Sequence, residues 1–123
     1  MAFLNDIEAA RLAQLLQADP VATAACRHHT ATYGLRCDDA LVLVTAERGH
    51  VSAVRAAGPA QPDITIAGTA SQWQGILQGL HGGLHRAWRY KLLDFSGDAV
   101  TMMFLWKFMW RMGDALVAVR RGS

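Results

Sequence analysis

Apolar residues near the start of the chain recur at the spacing of a helix. Four of them fall roughly on one face of such a helix: Ile7, Leu12, Leu15 and Leu16. Asn5 and Asp6 both suit the N-cap position. Asp19-Pro20 ends or redirects the helix, because a residue before proline avoids helical backbone. The pattern predicts a helix over about 5–18 and a short helical segment over 21–29.

The pattern changes to that of strands from residue 32 onward. TYGLRC (32–37) and ALVLVTA (40–46) are rich in strand-forming residues. ERGH, which follows, has the chemistry of a turn in which Gly49 can adopt a positive φ. VSAVRA then returns from that turn. We therefore predict a hairpin with strands at about 40–46 and 50–56.

A further strand and a helix are predicted after the hairpin. A loop at 57–62, punctuated by Pro and Gly, leads to DITIAG (63–68), whose two isoleucines share one face of a sheet. Ser71 and Gln74 then form the S-x-x-Q pattern of a capping box. The helix that follows carries apolar residues at helical spacing: Trp73, Ile76, Leu77 and Leu80.

Two more elements complete the pattern. Gly82-Gly83 breaks the preceding helix. In AWRYKLLDF (87–95), apolar residues alternate with Arg89 and Lys91, which predicts a strand, and the alternation slips near its end as it does at a bulge. Asp98 then caps a last helix. The order of helix, strands, helix, strand and helix is that of an α+β domain, with helices and a mainly antiparallel sheet over about 32–118.

The helix after Asp98 is apolar nearly all round. Over 99–112 only Thr101, Lys107 and Arg111 are polar, and a helix of this kind is buried on most sides. A membrane span needs ~20 predominantly apolar residues, so this charged and shorter run does not predict one. Its apolar side chains are expected to contact the core, a small hydrophobic molecule, a second copy of the chain or a bilayer surface.

Composition narrows the class of protein. A length of 123 residues predicts one domain over 1–123, and 52% hydrophobic with 18% charged residues excludes a disordered chain. A net charge of +2 does not indicate nucleic-acid binding. Cys26 and Cys37 fit no zinc or CxxC redox pattern. Two thiols and a start without the pattern of a secretory signal predict a cytoplasmic protein.

The sequence contains no strong catalytic or metal-binding motif. GxSxG, HExxH, GxxxxGK[ST] and GxGxxG are all missing from it. His81 and His85 are four residues apart, but Gly82-Gly83 between them disfavours the helix that would bring them together. We therefore expect neither a metal nor a cofactor. If the chain is an enzyme, the candidate acids and bases are Asp94, His85, Tyr90 and His50.

Three motifs of the chain occur in a characteristic order. LVLVTAERGHVSAVRA forms the hairpin, PDITIAGTASQWQGILQG joins a D-x-T-x strand at 63–66 to a helix, and LLDFSGDAVTMMFLW joins a Gly-Asp turn to the last helix. Together they resemble the sterol carrier protein family, the type-two lipid-transfer domain, over roughly 39–116. The chain departs from the family in having no glycine within 88–91 and a more aromatic last helix.

The resemblance implies a five-stranded sheet covered by helices, with an apolar tunnel that binds acyl chains, sterols or related lipids without catalysis. We carry the tunnel wall over to the two helices that match the family: Trp73, Ile76, Leu77, Met102, Met103, Trp106, Met109 and Trp110. The predicted function is the binding of a lipid or other hydrophobic small molecule for carriage or presentation. The alternative is a small cofactor-independent isomerase or cyclase that acts on a hydrophobic biosynthetic intermediate in the same pocket.

Two further partners follow from the apolar character of the last helix. One is a membrane surface in transient contact with the protein. The other is a second copy of the chain, docked through the last helix to form a homodimer.

Overall fold

The computed structural model describes residues 3–56, 60–80 and 82–122, and within these ranges the chain forms six helices and five strands. In chain order they are α1 (Asp6–Ala18), α2 (Pro20–Ala25), β1 (Thr30–Cys37), β2 (Ala40–Glu47), β3 (His50–Arg55), β4 (Ile64–Gly68), α3 (Ala70–Leu77), α4 (Leu84–Arg89), β5 (Asp94–Gly97), α5 (Ala99–Phe104) and α6 (Trp106–Arg120).

The five strands form one sheet in the order β3-β2-β1-β4-β5. Every neighbouring pair is antiparallel except β1 and β4, which run parallel. Tyr33 at the centre of the sheet lies opposite Val44 on one side and Ile64 on the other. The predicted α+β fold, with a mainly antiparallel five-stranded sheet and helices that cover it, is confirmed.

The helices cover one face of the sheet, and the core lies between them. The inward side chains of the three central strands are buried, among them Tyr33, Leu35, Val44, Ile64 and Ile66. The Tyr33 ring stacks on Phe108 of α6 with 5.7 Å between centroids, and its hydroxyl donates to the carbonyl oxygen of Leu105 at 3.4 Å. Burial raises the pKa of the Tyr33 hydroxyl well above its ordinary value.

The N-terminal helix begins as its capping residues predict. Asn5 is the N-cap of α1, and its side chain exchanges hydrogen bonds with Glu8 in a capping box. Leu12 and Leu16 are buried, as predicted, but Ile7 is 81% exposed. The reason is helical geometry: five residues at 100° each place Ile7 well away from the face of Leu12.

The start of α3 differs from the prediction by two residues. The capping box joins Thr69 to Gln72, whereas Ser71 and Gln74 lie inside the helix. Both pairs have the required S/T-x-x-Q spacing. Because β4 ends at Gly68, the chain can enter the helix directly at Thr69, and the earlier pair is the one used.

The predicted strand at 87–95 is wrong over most of its length. Residues up to Arg89 belong to α4, and β5 begins only at Asp94. The helix forms because Leu84 and Ala87, three residues apart, are both buried, and because Gly113 of α6 leaves room for Leu84 to approach closely. Packing against α6 therefore outweighs the alternation of apolar and charged residues.

The apolar segment predicted as one helix is divided at Leu105. This residue is buried with non-helical backbone angles (φ −105°, ψ 23°), and it separates α5 from α6. Asp98 caps α5, as predicted. The largest buried side chains of α6 are those of Phe108, Met109, Met112 and Leu116. Across the described ranges, no helix is long and apolar enough to cross a membrane.

Candidate functional site

An apolar groove lies beside β5, between the end of α4 and the two helices α5 and α6. Its volume is about 650 Å³. It is lined by Trp88, Phe95, Ser96, Gly97, Ala99, Met102, Met103 and Trp106. Apart from the Ser96 hydroxyl and the indole N–H groups of Trp88 and Trp106, the lining side chains are apolar, so the wall offers mainly van der Waals contact.

The turn from β5 into α5 places the methionine wall of the groove. A Cβ atom at Gly97, whose φ is 122°, would collide with the carbonyl oxygen of Asp63, so glycine is required at this position. The Asp98 carboxylate then accepts from the Thr101 hydroxyl at 2.8 Å and from the Val100 N–H at 3.0 Å. These hydrogen bonds lower the pKa of Asp98.

Trp88 and Trp106 face each other at the groove. Their rings meet edge to face with 5.3 Å between centroids. Trp106 and Met102 are half-buried, whereas Met103 is 78% exposed. Methionine side chains are flexible and polarizable and adapt to irregular apolar shapes. The arrangement suits an apolar molecule of variable shape.

A cleft of about 870 Å³ adjoins this groove, and we call it the polar cleft because its wall includes several charged residues. Trp88 and Phe95 line both spaces. The charged residues of the cleft are Arg36, Asp38, Arg89, Lys91 and Asp94. Apolar and charged surfaces therefore meet at two shared aromatic side chains.

The structure divides the predicted ligand-binding residues into two sets. Met102, Met103 and Trp106 line the groove. Four others are buried core residues away from it: Trp73, Ile76, Leu77 and Met109. Trp110 also lies outside the groove and stacks on His85 with 4.0 Å between centroids. A binding role for these five stays a prediction.

Trp73 and Leu77 contact a different space on the other side of α3. Together with Phe3 and Arg120 they line a cavity of about 450 Å³. The Trp73 indole donates to the carbonyl oxygen of Arg36 at 2.7 Å, and its ring lies 4.8 Å from that of Phe3. These contacts fasten α3 to the sheet and to the start of the chain.

Sequence reasoning missed several residues that line the two clefts. Trp88, Phe95 and Lys91 fall in the segment that was predicted to be a strand, where alternation alone does not show which side is open. Arg36 follows an apolar residue in a predicted strand and therefore had the pattern of an outward-facing side chain. The excess of cations near residue 90 was the available signal.

The candidate acids and bases are not brought together. His50 begins β3 opposite Glu47, at the far edge of the sheet, whereas His85 stacks on Trp110. Tyr90 is exposed, and of the four candidates only Asp94 lines either cleft. The isomerase or cyclase alternative therefore has no support in this arrangement.

Metal ligands are likewise not clustered in the part of the chain that the structure describes. No group of three His, Cys, Asp or Glu side chains there could hold a metal ion. His81, which was considered with His85, lies outside the described residues.

The apolar space is an open groove over the described residues, and the enclosed tunnel that the family resemblance implies is not shown. Closely packed core residues occupy the region between α3, α6 and the sheet, among them Trp73, Ile76, Phe108 and Met109.

The chain is similar in fold to several solved structures. It superposes on the crystal structure of sterol carrier protein 2 with a TM-score of 0.79, at 16% identity over 95% of this chain and 98% of that one. The solution structure of a conserved hypothetical protein from Thermus thermophilus, described as possibly a sterol carrier protein, gives a TM-score of 0.73. The identity is 18% over 97% of this chain and 90% of that one. The solution structure of the sterol carrier protein domain 2 of Helicoverpa armigera superposes with a TM-score of 0.58, at 14% identity over 90% of this chain and 94% of that one.

Comparison by sequence gives one clear match. No curated protein matches the chain. The model of the SCP-2 sterol transfer family, however, matches residues 12–109, which include the sheet, α3, α4, α5 and the start of α6. The chain belongs to the SCP-2 sterol transfer family.

Proposed function

We propose that the protein binds a lipid or other hydrophobic small molecule in the apolar groove, for carriage or presentation. The observation that supports this most directly is the groove itself: about 650 Å³ of space whose wall is almost entirely apolar and includes two tryptophans and two methionines. Membership of a sterol transfer family agrees with this use of the fold.

Binding in this groove is driven by the removal of apolar surface from water. Each fully buried methylene contributes about 0.8 kcal/mol, which corresponds to about a fourfold gain in affinity. The groove is open, so burial of a ligand is incomplete and we expect a gain of roughly two- to fourfold per methylene. Straight-chain alcohols from octanol to dodecanol provide the series, with tryptophan fluorescence as the measurement.

A pair of tryptophan variants tests the position of the site. Trp88 and Trp110 are similarly exposed, at 48% and 44%, and each contacts one other ring. Of these two tryptophans, Trp88 lines the groove and Trp110 does not. Trp88→Ala should weaken dodecanol binding about tenfold or more, whereas Trp110→Ala should leave it nearly unchanged. Equal losses would contradict the groove as the binding site.

We further propose that the exposed face of α5 rests on a membrane surface when ligand is exchanged. Val100, Met103 and Phe104 are all at least 60% exposed and lie three and four residues apart, so they form one apolar stripe. Lys107, at the start of α6, is also exposed. An exposed apolar stripe with a lysine close to it in the chain suits the boundary between acyl chains and anionic headgroups.

Charge favours a membrane over a second copy of the chain. A two-fold homodimer brings the same patch of both copies together, so a Lys107 close to the two-fold axis would approach its own counterpart. An anionic bilayer places opposite charge there. Asp98 at the start of α5 opposes this attraction, because its hydrogen bonds to Thr101 and Val100 keep the carboxylate ionised.

Vesicle sedimentation tests this surface. Phe104→Ser should lower binding to vesicles that contain phosphatidylserine several-fold, and Ile7→Ser, which alters an exposed apolar side chain on α1 outside this stripe, should not. A stable dimer in sedimentation equilibrium that Phe104→Ser dissociates would overturn the membrane assignment.

The cytoplasm remains the proposed compartment. Cys26 and Cys37 are both buried free thiols, and such pairs persist in reducing surroundings. Burial, and secondarily the charge of Asp38, raises the pKa of the Cys37 thiol, which makes it a poor nucleophile.

A further inference from the structure

The polar cleft beside the apolar groove contains more cations than carboxylates. Arg36 on β1 and Arg89 and Lys91 at the end of α4 line it, together with Asp38 and Asp94. Within the described ranges, none of the three cations forms an ion pair with a carboxylate. The Arg89 guanidinium lies 5.8 Å above the Tyr90 ring. These cations are available to a ligand.

Lys91 occupies a backbone position at which glycine is the favoured residue. The Leu92 N–H donates to the carbonyl oxygen of Ala87 at 2.8 Å, and the Lys91 N–H donates to that of Trp88 at 3.3 Å. This is the Schellman ending of a helix, in which the residue after the C-cap is left-handed. Lys91 has a φ of 56° there. A lysine at this position is less stable than a glycine and places a charged side chain at the polar cleft.

We infer that the ligand is an amphiphile with an anionic head group, a carboxylate or a phosphate, that binds in the polar cleft through Lys91, Arg36 and Arg89. This inference rests on the proposed function, since the hydrocarbon chain of the same molecule lies in the apolar groove. Trp88 and Phe95 line both spaces, so an amphiphile that lies across these two side chains would reach both. Asp38 and Asp94 oppose the anion, which makes their charge a means of testing the site.

Probes that share one hydrocarbon chain and differ in the head group show how much each part contributes to the affinity. Dodecanol below its solubility limit, and dodecanoate and dodecyl phosphate below their micellar concentrations, are titrated by calorimetry at neutral pH and low salt. Inorganic phosphate is titrated as the free anion. We expect the two anionic amphiphiles to bind about tenfold more tightly than the alcohol. Added salt should reduce that difference, because the cations are exposed.

Two substitutions to glycine distinguish an effect of the Lys91 charge at the cleft from an effect of the protein's net charge or of relieved backbone strain. Lys91→Gly should reduce the preference for dodecanoate over dodecanol several-fold and raise the thermal midpoint by about 3 °C. Arg48, with a φ of 48° in the turn between β2 and β3, lies outside both clefts. Arg48→Gly should raise the midpoint similarly and leave binding unchanged. Asp94→Asn should tighten dodecanoate binding about twofold.

The outcomes distinguish this inference from the function on which it rests. Equal affinity for dodecanol and dodecanoate overturns the head-group site and leaves lipid binding intact. Failure of all three amphiphiles to bind overturns both. If inorganic phosphate binds as tightly as dodecyl phosphate, the cleft is an anion site that takes no lipid tail. If Arg48→Gly reduces the preference for dodecanoate as much as Lys91→Gly does, the effect is one of net charge alone. Either result overturns the inference.

Discussion

The two helices on either side of Leu105 are built from similar side chains that have opposite surroundings. On α6, Phe108 and Met109 are fully buried against the sheet. On α5, Phe104 is 63% exposed, and no residue of the helix is fully buried. Methionine and phenylalanine thus stabilise the fold in one helix and are left available in the next. Their position relative to the sheet, rather than their type, decides which role they have.

The largest expected contrast is between the two phenylalanines. Phe108→Ala removes a ring that stacks on Tyr33 and leaves a cavity in the core, so we expect a loss of about 3–5 kcal/mol in the free energy of unfolding. Phe104→Ala removes a ring whose stacking partner is His29 at 5.1 Å on the surface, and we expect less than about 1 kcal/mol. Urea denaturation measures both, and similar losses would show that α5 is as deeply packed as α6.

Sequence alone could not separate these two helices. Over 99–112 nearly every position is apolar, so no face of the helix is marked as inward. The break arises from tertiary contacts at Leu105, whose carbonyl oxygen accepts from both the Tyr33 hydroxyl and the Met109 N–H. Met102, Met103 and Trp106 line the groove, but the sequence pattern did not distinguish them from Met109 and Trp110, which were assigned to the same tunnel wall.

The hairpin of β2 and β3 was predictable because its signals are local. The turn at Arg48-Gly49 and the alternation on each side of it define the hairpin within a few residues. The α4 segment was not predictable in this way, since Trp88, Tyr90 and Leu92 alternate like a strand while Leu84 and Ala87 make a helix on α6 more favourable. The polar cleft depends on that helix and was therefore missed with it.

The next largest effect on stability is expected in the turn that leads into α5. In Gly97→Ala the added methyl group meets the Asp63 carbonyl, and the residue must keep a φ of 122°. We therefore expect a loss of about 2–3 kcal/mol in the free energy of unfolding, and weaker binding in the groove. Gly49→Ala is the matched control, because Gly49 also has a positive φ but open space around it. It should cost about 1 kcal/mol and leave binding unchanged.

The ion pair that holds α6 to α2 should make part of the stability pH-dependent. Burial alone would raise the pKa of Asp19, but hydrogen bonds from Arg111 at 2.6 Å and from the Val21 and Ala22 N–H groups outweigh it, so the pKa lies below its ordinary 3.8. The associated stability is complete above the unfolded pKa and is lost as the pH falls through the folded one.

Asp19→Asn isolates this charge, because asparagine is also a good N-cap. We expect a loss of about 0.5–1 kcal/mol at neutral pH. The difference from the parent protein should shrink below pH 3.8 and vanish once Asp19 is protonated in the folded state. Urea denaturation across that range measures it, and a difference that does not change with pH would assign the loss to packing instead.

The smallest effect on stability is expected for a substitution at Met103. The same substitution should nevertheless weaken ligand binding, and this difference between the two measurements makes the variant informative. The side chain is 78% exposed and lines the groove, so Met103→Ser should change the free energy of unfolding by no more than about 0.5 kcal/mol. Binding of dodecanol should nevertheless fall about threefold, since a thioether that covers the ligand is replaced by a short polar group. A core residue cannot give this combination: on α6, Met109→Ser should lose stability first. If Met103→Ser unfolds the protein as readily as Met109→Ser does, α5 belongs to the core and the groove is not a free surface.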